Sequence, residues 1–161
     1  MAAFKIIREM GTYFDVTPMH GKWCDIECLG RDIGFAQVGI VSSGEHHILF
    51  QYKDKMGVVP KMFVKQLVEV KMGKWRLKKQ QELIPQVWDD SEHPYARFIG
   101  KRCDIHVHQT QLFEGNAGFF AATVLEVGNG IVRIQDGRKI YPVNEHMICG
   151  IMESYSCFDK L

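Results

Sequence analysis

Gly21-Lys22-Trp23-Cys24-Asp25-Ile26 returns 79 residues later as Gly100-Lys101-Arg102-Cys103-Asp104-Ile105, with five of six residues unchanged. The segments after each hexapeptide keep the same order. Gly34-Phe35-Ala36-Gln37-Val38-Gly39-Ile40-Val41 answers to Gly118-Phe119-Phe120-Ala121-Ala122-Thr123-Val124-Leu125. A turn comes next, Ser42-Ser43-Gly44-Glu45 or Gly128-Asn129-Gly130. Then come an apolar run (Ile48 to Phe50, or Ile131 to Ile134), a second turn, Val58-Val59-Pro60 or Ile140-Tyr141-Pro142, and a closing apolar piece (Leu67 to Val70, or Ile148 to Ile151). Self-similarity at a fixed spacing marks one structural unit used more than once.

The runs carry a period of two, as half-buried strands do. Cys24, Ile26 and Cys28 alternate with Trp23, Asp25 and Glu27. Cys103, Ile105 and Val107 alternate with Asp104, His106 and His108. The next runs alternate through Ala36, Val38 and Ile40, and through Ala121, Thr123 and Leu125. Glycine-rich turns between runs suit antiparallel hairpins. Pro60 and Pro142 cannot donate to a ladder, so each belongs at a strand end or an edge. Asp25 and Asp104, at matching places on an outward face, predict a shared structural task.

Five short strands in about 50 residues bury one face best by curling up, which also removes bare edges. The expected fold is therefore mainly β: two tandem five-stranded SH3/Sm-like small barrels, each preceded by a short helix. The expected domains are a leader at 1–20, a first barrel at 21–72, a linker at 73–99, a second barrel at 100–153 and a tail at 154–161. In the linker, Ser91 is placed to cap a short helix with Tyr95, Phe98 and Ile99 on one face.

A short helix, a Gly-Lys step and five strands with a proline near the fourth resemble the Sm-like barrels, including the bacterial Hfq type. That resemblance covers roughly residues 21–72 and 91–152. It implies RNA binding at the loops after the second and fourth strands, and ring assembly through edge strands. Here those loops hold Ser43, Glu45, His46, His47, Lys61 and Met62 in the first copy, and Asn129, Asn144 and His146 in the second. The Arg-Gly step and the Lys-His pair known from the family are absent.

The linker offers a second nucleic-acid candidate. Lys71, Lys74, Arg76, Lys78 and Lys79 surround Trp75. Cations release phosphate counterions, and an aromatic ring can stack a base. The competing reading is a solvated linker that docks Trp75 on a barrel.

Composition narrows the remaining classes. Net charge is +1, but residues 1–80 hold 13 Lys/Arg against 8 Asp/Glu (+5), and residues 81–161 hold 7 against 11 (−4). Such asymmetry suits a basic binding face or head-to-tail association. The five cysteines are odd in number and dispersed, which predicts free buried thiols and a cytoplasmic chain. No apolar run reaches the length of a membrane span. His106 and His108 share a strand face, yet no third ligand at metal spacing accompanies them, so no metal or other cofactor is expected. No nucleophile elbow or phosphate loop is present, so no enzyme is expected. Three functions stay open: an RNA-binding module that forms homo-oligomers by edge pairing, a protein-interaction scaffold without nucleic acid, and a small-ligand pocket lined by residues such as Phe119, Phe120 and Tyr141.

Overall fold

A computed structural model of the chain describes residues 5–7, 15–29, 34–74, 82–108 and 118–154. The chain divides into two compact units, Met1–Asp89 and Asp90–Leu161, and each is mainly antiparallel β.

Unit one holds β1 (Lys5–Ile7), β2 (Trp23–Cys28), β3 (Gly34–Ser43), β4 (His47–Tyr52), β5 (Lys55–Pro60) and β6 (Val64–Glu69). Its strands lie in the order β1-β6-β2-β3-β4-β5. Unit two holds β7 (Arg102–Val107), β8 (Gly118–Gly128), β9 (Ile131–Asp136), β10 (Lys139–Asn144) and β11 (Ile148–Glu153), in the order β11-β7-β8-β9-β10. Counted from the strand that succeeds Gly-Lys, both orders read fifth, first, second, third, fourth. Unit one adds β1 outside its fifth strand.

The alternation of β2 and β7 holds: Cys24, Ile26 and Cys28 are buried, as are Cys103, Ile105 and Val107. In β3 Val38 and Ile40 are buried as expected and the phase fails only ahead of them, while in β8 it fails throughout. Ala36 is exposed, and the buried residues of β8 are Ala122 and Val124 rather than Ala121, Thr123 and Leu125. The cause is a β-bulge in each strand. Gln37 and Ala121 adopt left-handed backbone, φ 54° and 53°, and one inserted residue shifts the inward face by one. Each bulge is held from the neighbouring strand. Gln37 N–H donates to Asp25 Oδ1 and Ala121 N–H to Asp104 Oδ1, both at 2.8 Å. That is the task the two aspartates share. Asp104 also accepts from Ser154 Oγ at 2.7 Å.

The predicted helices before each copy are single 3-10 turns, Thr17–Met19 and Ala96–Phe98. Each turn is stopped on its C-terminal side by a glycine at φ +81°, Gly21 or Gly100. Their N–H groups donate to Ile40 O and Val124 O. Tyr95, not Ser91, occupies the cap position. Tyr95 and Phe98 are buried as expected, but Ile99 is 46% exposed.

Closure into a ring of hydrogen bonds does not occur. Among the described ladders none joins β5 to β6 or β10 to β11. The chain passes between these strands through one 3-10 turn, Lys61–Phe63 or Glu145–Met147, which lifts the backbone out of the ladder.

Candidate functional site: the paired loops

In both units the loop after the second strand is bonded to the loop after the fourth. Lys61 N–H donates to His46 O at 2.7 Å, and Glu145 N–H donates to Gly130 O at 3.0 Å. In unit one this brings His46, His47 and Lys61 to one end of the sheet. In unit two it brings Asn129, Asn144 and His146 together.

Unlike side chains decorate the two ends. In unit one His20 Nε2 is bonded to Ser43 Oγ at 2.7 Å. Burial holds the His20 imidazole below its ordinary pKa, with Asp15 opposing and Lys61 reinforcing the shift. His47 stacks on Trp88, with centroids 5.5 Å apart and planes inclined by 21°. Trp88 N–H donates to Ser42 Oγ at 3.1 Å. His46 lies 3.8 Å from Glu45 and keeps 59% of its side chain exposed. In unit two the two asparagines serve the backbone. Asn129, at φ 54°, makes the turn. Asn144 Oδ1 caps His146 N–H at 2.9 Å. His93 Nδ1 accepts from Tyr95 N–H at 3.2 Å, which leaves Nε2 to donate to Glu145 at 2.5 Å.

The linker cations are placed elsewhere. Lys71 and Lys74 are exposed and lie past the far end of β6. The paired loops lie at its near end, and six strand residues span about 20 Å. Trp75, Arg76, Lys78 and Lys79 lie outside the described residues.

No protein-family model and no curated protein matches the sequence.

Three of the buried thiols and His106 are shifted by burial. Burial pushes the Cys24 and Cys103 thiols up to about 12 and Cys149 up to about 11. A thiol so held is protonated and a poor nucleophile at neutral pH. His106 is half-buried and, by that burial, below its ordinary pKa. Among the described residues no three metal-ligating side chains cluster, and no helix is long and apolar enough to cross a membrane.

Sequence reasoning missed residues 82–88. This segment crosses the outer face of unit one's sheet. Leu83 lies against Gly39, where a Cβ would stand 2.1 Å from Leu83 Cδ2. Gln51, fully buried, donates from Nε2 to Lys53 O at 2.7 Å and Glu82 O at 3.1 Å, and its Oε1 accepts from Ile84 N–H at 3.0 Å. Trp88 completes the strap against His47 and Ser42. No periodicity marks such a strap. The only signal was a glutamine at the same place in both units, Gln51 and Gln135.

Proposed function

We propose that the chain is a nucleic-acid-binding module, directed at single-stranded RNA and built from two small barrels of the Sm-like type. The observation that carries this reading is the bond between Lys61 N–H and His46 O, which joins the two loops that the resemblance assigns to RNA. A cation, three imidazoles and a stacked indole then share one end of unit one. That combination suits a backbone phosphate beside an unstacked base. The barrel reading is supported by the common strand order, by a bulge that bends the second strand of each unit, and by a 3-10 turn between fourth and fifth strands. Duplication is supported by the matched Asp25 and Asp104 bonds and by Lys22–Glu69 and Lys101–Glu153 ion pairs at 3.5 and 2.6 Å.

Binding of a labelled single-stranded RNA at low and moderate salt tests the proposal. Affinity is expected to fall steeply with salt, and Lys61→Glu is expected to weaken it and flatten the salt slope by about one unit. Absence of retention at low salt would remove the RNA reading.

Assembly of several chains belongs to the same proposal. Support comes from β1 and β10, each with a ladder on one side only among the described residues, and from the opposed charges of the two halves. A sedimentation mass above that of one chain is the expected result.

A further inference from the structure

The strap on unit one shows what this kind of sheet face can hold, and the matching face of unit two is exposed at Ile131, Gln135 and Ile140. Partner registers relate the two faces: Cys24 faces Val38 as Cys103 faces Ala122, so residues from β3 onward correspond at an offset of 84. Gln51 thus corresponds to Gln135, His47 to Ile131, Met56 to Ile140 and Leu49 to Arg133. Gln135 keeps the first bond of its counterpart: Nε2 donates to Gly137 O at 3.2 Å, as Gln51 donates to Lys53 O. The bonds that Gln51 makes to residues 82 and 84 have no counterpart at Gln135 among the described residues. Gln135 is exposed. Beside it Ile131 and Ile140 are 39% and 56% exposed.

We propose that the outer face of β8, β9 and β10 is a docking site for an extended peptide of a partner protein, clamped by the Gln135 carboxamide as Gln51 clamps the strap. Gln135 Oε1 takes an N–H and Nε2 gives to a carbonyl two residues earlier, as in unit one.

The side chains lining the face define the chemistry of the ligand. In unit one Glu82 begins the strap near the β4–β5 turn. The corresponding turn in unit two exposes Arg138 and Lys139, so an acidic residue comes first. Leu83 fits only because residue 39 is glycine. Thr123 stands there in unit two, so the second ligand residue is small. The place of His47, under Trp88, is taken by Ile131, so the seventh residue is a large apolar or aromatic one. The ligand reads acidic, small, four residues held mainly by backbone, then bulky apolar. Main-chain bonds supply affinity and the flanking side chains supply specificity, as in other peptide-recognition surfaces.

The test uses the full chain, isotopically labelled, and a synthetic heptapeptide of residues 82–88 with alanine in second position (EAIPQVW). Saturable binding is expected, with NMR shifts at the Gln135 side-chain amide and at Ile131 and Ile140. Gln135→Ala and Ile131→Asp, both at exposed positions, are each expected to weaken it about tenfold with an unchanged circular dichroism spectrum. Reversing the first residue to lysine is expected to weaken it further. Four outcomes would overturn the proposal: no shift at a peptide concentration of about 1 mM, shifts confined to Gln51 and its neighbours, unchanged affinity in Gln135→Ala, or a single-stranded RNA shifting these residues when the peptide does not.

Discussion

β4 and β9 are the same strand of the same plan, and they are buried differently. In β9 burial alternates, with Val132 and Ile134 inside and Ile131, Arg133 and Gln135 outside. In β4 Ile48, Leu49, Phe50 and Gln51 are all buried. The inner faces agree. Residues 82–88 lie over the outer face of unit one, whose outer residues there are Leu49 and the fully bonded Gln51. The matching face of unit two has Arg133 and Gln135, both exposed. A two-sided strand reads as a continuous apolar run and a one-sided strand as an alternation, so one plan produces both patterns depending on what covers it.

A second contrast lies inside the sheets, and it yields the largest expected effect. Phe50 faces Gly57 across β4 and β5, while Ile134 faces Tyr141 across β9 and β10. The large and small partners have exchanged strands. Phe50 tilts against Phe35 at 4.7 Å, and Tyr141 against Phe119 at 5.2 Å. A Cβ at residue 57 would stand 2.2 Å from the Phe50 ring. Gly57→Tyr is therefore expected to destabilise unit one by about 3 kcal/mol or more through overpacking. Adding Phe50→Ile, which copies the arrangement of unit two, is expected to recover much of the loss. Chemical denaturation of the single and double variants checks both. A single variant as stable as the parent would break the comparison.

Next in size is the strap. Gln51→Ala removes three hydrogen bonds in a buried place and is expected to cost about 2–3 kcal/mol. Gln135→Ala, at the exposed counterpart, is expected to stay within about 0.5 kcal/mol. Equal costs in thermal unfolding would show that the two faces are covered alike.

The bulge contacts are expected to be more nearly equal. Asp25→Ala is expected to cost about 1–2 kcal/mol by freeing one backbone N–H. Asp104→Ala is expected to cost somewhat more, since it also loses the Ser154 hydroxyl.

The smallest effect concerns pH. His20 has its folded pKa depressed below the ordinary 6.5, chiefly by burial. Its contribution to stability is fully present above pH 6.5 and is lost as pH falls through the folded value. Unit two has Ile99 in the corresponding position. His20→Ile is expected to flatten the stability profile of unit one below pH 6.5, measured by denaturation across pH 5 to 8. An unchanged slope would contradict the His20 assignment.

The parts of the fold that were legible in the sequence are those set by local interactions. The strands of β2 and β7 were readable because Cys24, Ile26, Cys103 and Ile105 alternate without interruption. The phase at Ala36 and along β8 was not, since a left-handed residue at Gln37 or Ala121 is set by an aspartate on another strand and leaves no mark on hydrophobic alternation. The helices before each copy were overestimated, although Gly21 and Gly100 were in plain view as chain reversals. Of the candidate site, the loops are those that the family resemblance implies, and their pairing at His46 and Lys61 came only with the fold. Residues 82–88 read as linker because nothing in Glu82 to Trp88 announces that Gly39, Gln51 and Ser42 receive them.

The difference between a covered and an open sheet face is tested most directly by hydrogen exchange at two equivalent side chains. In one NMR experiment on the full chain, the Gln51 carboxamide protons and the Ile84 N–H are expected to exchange slowly, and the Gln135 carboxamide at the rate of a solvated side chain. Equally fast exchange at Gln51 and Gln135 would contradict the account.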